Sequence, residues 1–256
     1  MTSSKAEHKE DNPLEETRKT TSLDDEAEYG AVMLDLFGTL VDFNSVFVDT
    51  LNRVLVDHDL VDKADEFRHR WGRFVFLGQA EGDFINVHED FKHSLVVVLR
   101  DLGRDGDLVD YADVVIEAMF EKLRRADLFP EVPSMIASIE DADLPWAVVS
   151  NVDEEDLHAI LTHHGLRPTV TVSSERVRSY KPEGTIFMTA VQELGVPVER
   201  IIHVGDSPIA DVAGANDVGI DVLWVNRHGV PYPDDLPRPR WDVPNLSGLP
   251  SLLLKG

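Results

Sequence analysis

Apolar and polar positions change texture twice along the chain. Residues 1–28 hold only five apolar side chains, Met1, Ala6, Leu14, Leu23 and Ala27, set among charges, Ser and Thr. Such a stretch cannot bury enough surface to offset the entropy of ordering, and it predicts a disordered acidic tail. At Ala31 the pattern switches to AVMLDLF, an apolar run with one Asp near its end, bounded by Gly30 and Gly38. That run predicts a buried strand.

From about Asn44 to Phe129 the apolar spacing is helical. Val46, Phe47, Leu51, Val54 and Leu55 form one stripe, Phe67, Trp71 and Phe74 a second, and Phe91, Leu95 and Val98 a third. Leu108, Tyr111, Val115, Met119 and Leu123 continue the theme. Eight of the eleven Phe lie in this interval, which predicts an all-helical insert with a hydrophobic core of its own. Beyond Pro130, short apolar runs at 145–150, 169–174, 201–207 and 220–226 alternate with helical stretches near 183–195 and 208–216. Strands separated by crossover helices predict an α/β fold, a doubly wound parallel sheet of five strands in the Rossmann-like manner. The expected organisation is therefore a tail at 1–28, an α/β core from 29–43 and 130–256, and a helical cap at 44–129. Hinges are expected at Val41 to Asn44 and Pro130 to Pro133.

Charge narrows the function classes. There are 48 acidic and 24 basic side chains, a formal net charge of −24, of which the first 28 residues carry only −5. Nucleic acids and anionic membranes are bound by basic surface, so neither is expected as a partner. Of the bases 16 are Arg and 8 are Lys, an acid-rich, Lys-poor balance that fits a cytoplasm of high salt. The absence of Cys excludes disulfides, a thiol nucleophile and a thiolate metal site, and it is compatible with a reducing cytosol. The start MTSSKAEHKEDNPLEE has none of the character of a signal peptide, and no run approaches the length of a spanning helix. A cytoplasmic enzyme is the expectation.

A doubly wound sheet places its site at the carboxyl ends of its strands. Asp35, Ser150 and Asp206 fall at three such ends, and Lys181 in the loop after another. A carboxylate in an apolar run demands a cation or a metal if it is buried. Gly38-Thr39 can turn tightly and present N–H groups and a hydroxyl, Ser150 adds a hydroxyl, Asn151 opens a helix start, and Lys181 supplies a point charge. Ser207-Pro208 begins a helix that brings Asp211 back one turn later. Taken singly, each has a commoner role: a turn Asp, a capping Ser, a solvated Lys. Their ordered occurrence at successive strand ends is what points to chemistry. Asp35 and Asp206 with backbone oxygens make an oxygen-only site suited to Mg²⁺, with Asp211 beside it.

These residues resemble the haloacid dehalogenase superfamily of hydrolases over about residues 29–256. The matching motifs are Asp35-Leu36-Phe37-Gly38-Thr39-Leu40-Val41, then Ser150-Asn151, Lys181-Pro182, and Gly205-Asp206-Ser207 with Asp211. The insert after the first strand sits where the family places a helical cap of type one. The resemblance implies Asp35 as nucleophile, Thr39 and Ser150 binding the transferring group, Lys181 neutralising charge, and, in phosphatases, Mg²⁺ held by Asp35, the Phe37 carbonyl and Asp206. Phosphatases of the family usually carry a second Asp, a general acid, where this chain has Phe37, and such a group is worth roughly 10² to 10⁴ in rate. Metal-free 2-haloacid dehalogenases have an aromatic or small residue there, use an Asn at the position of Asn151, and hold the substrate with a cap arginine, for which Arg68, with Arg70 nearby, is the match. Those enzymes carry a Ser- and Asn-containing segment where this chain keeps Asp206.

The reading favoured by the fourth motif is a Mg²⁺-dependent phosphatase for a small phosphorylated metabolite. A 2-haloacid dehalogenase is the alternative, and a weakly active phosphate-binding protein the third. Whichever anion is bound, the negative surface repels it at low ionic strength. Initial rates of turnover are therefore expected to rise with added salt. Fastest turnover in dilute buffer would overturn the high-salt reading.

Overall fold

The computed structural model describes residues 29–77 and 83–254, with the side chains of 74–77 left aside. The tail at 1–28 lies outside the described residues. Six strands, β1 (Ala31–Leu34), β2 (Trp146–Ser150), β3 (Val170–Ser173), β4 (Ile201–Gly205), β5 (Asp221–Val225) and β6 (Trp241–Val243), form one sheet in the order β3-β2-β1-β4-β5-β6. Every pairing is parallel. Five of these are the strands expected from the apolar runs. The sixth is three residues long and carries exposed Asp242 at its centre, too short and too polar to register as an apolar run.

Alternate side chains of each strand enter opposite layers. On one face Val32, Leu34, Val148, Ile202 and Val204 pack with helices α5 (Val132–Asp141), α6 (Glu154–His164) and α10 (Leu249–Leu253). On the other, Ala31, Met33, Ala147, Val149 and Ile201 meet α8 (Gly184–Leu194) and α9 (Gly214–Asp217). A one-turn helix, α7 (Ser174–Val177), follows β3. Between β4 and α9 the chain makes a π-helical turn, Pro208–Ala213, begun by Ser207, whose hydroxyl accepts from the Ala210 N–H at 3.1 Å.

Four helices, α1 (Phe43–Asp57), α2 (Ala64–Leu77), α3 (Val87–Asp101) and α4 (Leu108–Leu123), are inserted between β1 and β2. Asp42 starts α1 by accepting from the Asn44 and Ser45 amides, and Asn86 starts α3 by accepting from that of Glu89. The two connections into and out of this insert run side by side. Val41 bridges Leu128 antiparallel, the Asp42 amide donates to the Asp127 carbonyl at 3.0 Å, and that of Phe129 to the Leu40 carbonyl at 3.0 Å.

The insert does not own a separate core, contrary to the expectation from its Phe content. Phe47, Trp71, Phe91 and Phe120 belong to one continuous apolar cluster with Val32 and Leu34 of the sheet. Continuity comes from the loop after β1: Leu36, Leu40 and Val41 are buried, Phe37 packs on Phe43 at 5.6 Å between centroids, and Phe43 stacks on Phe47 at 5.3 Å. Counting aromatic residues shows how much surface must be buried but not against what.

Polar contacts also join the layers. Buried Asp153, just before α6, accepts from the Val87 and His88 amides at 2.7 and 3.1 Å, so a core carboxylate caps a helix of the insert. His88 stacks on Phe120 at 3.8 Å and places Nε2 2.7 Å from Asp156, which Arg124 also meets at 2.6 Å. Glu117 lies 3.5 Å from His88 Nδ1. Burial works against the imidazolium, but Asp156, Asp153 and Glu117 outweigh it and raise the pKa above its ordinary value of 6.5. A raised folded-state pKa gives stability that is full below the unfolded value and lost as pH climbs through the folded one. Urea unfolding is therefore expected to show a larger stability difference between the native chain and His88→Gln at pH 6 than at pH 9. An equal difference at both values would refute a charged His88 at this junction.

Candidate active site

β1 is the strand at which the sheet's chain order reverses, with β2 on one side and β4 on the other. The crevice above its carboxyl end receives loops from both directions. Leu34 is the last residue of β1, and Asp35 follows it, buried, its amide donating to the Val204 carbonyl at 2.9 Å. Ser150 ends β2 and donates its hydroxyl to Asp35 Oδ1 at 2.9 Å. Lys181 Nζ donates to the same oxygen at 2.6 Å and to Asp211 Oδ1 at 2.6 Å. The Lys181 ammonium, with only 3% of its side chain exposed, thus sits between two buried carboxylates.

Each of these side chains is aimed by its backbone. Lys181 is held by Asn151, whose Oδ1 accepts from the Lys181 amide at 2.7 Å and whose Nδ2 donates to the Lys181 carbonyl at 3.1 Å. The peptide that follows, Lys181–Pro182, is cis. Asp211 is returned to the site by the wide π-helical turn: its Oδ2 accepts from the Ser207 amide at 2.9 Å, and its Oδ1 pairs with His203 Nε2 at 2.9 Å. A Cβ on Gly205 would collide with the Asp211 carboxylate, so only glycine ends β4 in this way. Gly38, at φ +80°, turns the loop after β1, and a Cβ there would strike the carboxylate of Asp206.

The electrostatics follow from this crowding. Burial pushes the Asp35 carboxyl up, Lys181 opposes that, and Asp211 adds to it, with a net upward shift. For Asp211 burial is outweighed by Lys181 and by the His203 bond, which hold it well below the usual carboxylate range. Burial would lower Lys181, but Asp211 and Asp35 keep it above its ordinary value. Asp206 has no salt-bridge partner among the described residues, and burial, Asp35 and Asp211 all raise it strongly. Carboxylate oxygens of Asp35, Asp206 and Asp211 lie within 4.8 Å of one another. With one ammonium for three carboxylates, the cluster has room for a divalent cation held by oxygen ligands. The Thr39 hydroxyl, in this loop, is wholly buried and finds no hydrogen-bond partner among the described residues.

Of the residues expected from the sequence, Asp35, Ser150, Lys181 and Asp211 are joined by hydrogen bonds, Asn151 acts on Lys181, and Asp206 and Thr39 border the same crevice. Phe37 is only partly buried and turns its ring toward Phe43. The recorded partners of the two cap arginines lie within the insert: Asp65 at 3.6 Å for Arg68, and Glu66 at 2.7 Å and Asp101 at 3.7 Å for Arg70. Asp101 ends α3, whose start is the end bound to the core by Asp153. At about 1.5 Å per residue those ends are roughly 20 Å apart, so Arg70 is tied to the far end of the cap. The histidines, His203 among them, form no ligand-like set in the sequence beyond the His163-His164 pair, although a His in the apolar strand IIHVG is the same signal that marks Asp35. The His163-His164 pair lies in the last turn of α6, with His164 Nε2 2.9 Å from the Ala126 carbonyl, away from the crevice residues.

Comparison with known proteins agrees with this architecture. A family model described as haloacid dehalogenase-like hydrolase matches residues 29–219. The (S)-2-haloacid dehalogenase of Pseudomonas sp. (strain YL) is 26% identical over 227 residues, 86% of this chain and 93% of that protein. Phosphoserine phosphatase of Thermus thermophilus is 32% identical over 131 residues, 49% of this chain and 51% of that protein. The solved structure of L-2-haloacid dehalogenase from Xanthobacter autotrophicus superposes with a TM-score of 0.72 at 22% identity, covering 89% of this chain and 99% of that one. With its motifs at the strand ends of a parallel sheet and its helical insert after β1, the chain belongs to the haloacid dehalogenase-like hydrolases.

Proposed function

We propose that the chain hydrolyses a small substrate through an ester on Asp35, with a 2-haloacid as the substrate class. The observation that carries this reading is Phe37. Two residues beyond the nucleophile, where a proton donor to a leaving alcohol would stand, an aromatic ring packs on Phe43 instead. A halide departs without a proton, so displacement at carbon needs no acid there. The resemblance of 26% along nearly the whole chain to a protein named (S)-2-haloacid dehalogenase supports the same class. This reverses the preference drawn from the fourth motif alone.

In the proposed reaction an Asp35 oxygen attacks the carbon bearing the halogen, and the carbon–halogen bond breaks with its electron pair leaving on the halide. Ser150 and Lys181, both bonded to Oδ1, fix the rotation of the carboxylate before attack. Water then adds to the Asp35 carboxyl carbon, and a neighbouring carboxylate takes its proton and delivers it to the departing oxygen. The products are a 2-hydroxy acid, the halide and one proton. Lys181 neutralises charge on the Asp35 oxygens throughout. Arg68, about half exposed and paired among the described residues only with an exposed Asp65, is available to meet the substrate carboxylate, since such surface pairs are worth about 0 to 1 kcal/mol.

A second reading is favoured by Asp206, the carboxylate without a salt-bridge partner: a phosphatase for a small phosphorylated metabolite, with Mg²⁺ held by Asp35, Asp206, Asp211 and the Phe37 carbonyl. Bound there, Mg²⁺ would withdraw charge from the transferring group. Without an acid at position 37, aryl and acyl phosphates would be turned over far better than alkyl phosphates.

Incubation with 2-chloropropionate and with a panel of phosphate esters, each with Mg²⁺ and with chelator, separates the readings. Chloride release insensitive to chelator is the expected result, and Mg²⁺-dependent phosphate release in its place establishes the second reading. Neither product leaves a binding protein. In Asp35→Asn turnover should drop at least about 10³-fold, and retained activity would refute the nucleophile in both enzymatic readings.

A further inference from the structure

Arg227 lies in the loop after β5, outside the charged crevice, yet its guanidinium engages four residues in two other parts of the molecule. Nε donates to the Gly38 carbonyl at 3.0 Å and Nη2 to the Thr39 carbonyl at 2.7 Å. Nη1 donates to Glu131 Oε1 at 2.6 Å, and the guanidinium carbon stands 3.5 Å from the centroid of the Phe129 ring. Glu131 accepts in turn from the Leu246 amide at 3.3 Å. The Arg227 and Glu131 side chains are 12% and 13% exposed, so the pair is largely withdrawn from water. Burial would raise the Glu131 carboxyl, but the Arg227 bond outweighs it and holds the group ionised.

Two adjacent carbonyls caught by one rigid fork fix two successive peptide planes, and an ammonium cannot reproduce that geometry. Carbonyl and N–H point in opposite directions across a trans peptide. Drawing the Gly38 carbonyl onto Arg227 therefore turns the Thr39 N–H to the opposite side, and drawing in the Thr39 carbonyl does the same for the Leu40 N–H, which meets the Leu36 carbonyl at 2.9 Å. This is the turn in which Gly38 lies against Asp206 and whose Thr39 hydroxyl is buried without a partner. The other half of the guanidinium holds Phe129 and Glu131, where the chain returns from the helical insert to the core.

We propose that Arg227 is a positioning residue for the nucleophile turn. Its fork sets the orientation of the Gly38-Thr39 segment beside Asp35, and its pairing with Glu131 and Phe129 ties that orientation to the return connection of the cap. A displacement of the cap that moves its return connection at Phe129 and Glu131 is thereby transmitted to Thr39 through one side chain. The catalytic part of this inference rests on Asp35 being the nucleophile, whereas the clamp itself does not.

The test compares Arg227→Met, Arg227→Lys and Glu131→Gln with the native chain, and Arg238→Met, an exposed arginine on Tyr232, serves as control. Hydrogen exchange is read by mass spectrometry on peptides spanning 36–41 and 128–132, and kcat and KM on whichever substrate the native chain turns over. Arg227→Met should speed exchange at 36–41, where the Gly38, Leu40 and Val41 amides close the turn, and lower kcat about 10- to 100-fold with KM within about threefold. Arg227→Lys should recover only part of that loss, and Glu131→Gln should show the same two effects in smaller measure. Unchanged exchange at 36–41 in Glu131→Gln and in the Arg227 variants that fold overturns the clamp. Faster exchange there with an unaltered kcat overturns its role in catalysis. If Arg227→Met does not fold, the other two variants carry the same readouts. If the native chain turns over no substrate, the proposed reaction fails, while exchange still decides the clamp.

Discussion

The site is organised around one ammonium group. Three carboxylates crowd the end of β1, and without Lys181 between Asp35 and Asp211 their mutual repulsion and burial would force protons onto them. Burying a charge is tolerated only where opposite charge and hydrogen bonds surround it, and every element near the crevice contributes to that condition. Asn151 fixes the Lys181 backbone, His203 and the Ser207 amide hold Asp211, and Ser150 holds Asp35. The arrangement sets Lys181 and Ser150 against the burial that pushes the Asp35 carboxyl up, while Asp206 remains the carboxylate with least compensation. A substrate anion or a cation would enter an electrostatic frame that is already set.

How much of this could be read from the chain alone depends on what kind of signal each residue gives. Asp35 and Asp206 were legible because they break or end apolar strands, and the strand ends of a doubly wound sheet lie side by side. Lys181 was legible from its place in an ordered set. Arg227 was not, because nothing local distinguishes an arginine in a polar loop from its ordinary counterparts, and His203, although it interrupts an apolar strand, belongs to no ordered set of strand-end residues. Their meaning lies in partners 8 to 189 residues away in the sequence. The strands were readable as apolar runs except β6, whose middle residue is exposed Asp242. The insert was readable as helical from its spacing. Its sharing of one core with the sheet was not, since periodicity shows that a face is buried and never against which neighbour.

Cap and core are joined by means that differ in character. The paired connections at Val41 and Leu128 are backbone hydrogen bonds, the Phe37–Phe43–Phe47 stack is apolar, and the Asp153 and His88 contacts are charged or polar. Tyr180, next to Lys181, combines the last two by stacking on Phe84 at 5.0 Å and donating to the Ile85 carbonyl at 2.8 Å. Apolar contact tolerates small sliding, whereas the directional bonds do not, so relative motion of the two parts would concentrate where rings meet rings. Phe37 then has two consequences: it puts an aromatic ring two residues beyond Asp35 and makes the loop after β1 part of the cap's packing.

The order of strands also bears on how the chain is made. Among the described strands β1 leaves the ribosome first, but its two partners begin at Trp146 and Ile201, more than a hundred residues later. During synthesis the segment AVML must wait, unpaired, while helices α1 to α4, built from local contacts, are able to form. Leu40 and Val41 of the following loop and Phe43 at the start of α1, which join Val32 and Leu34 in one apolar cluster of the folded chain, are the apolar surface nearest in sequence to that waiting segment. A cap that shares its core with β1 can thus shelter the nascent strand, a service to biogenesis that precedes anything it does for a substrate.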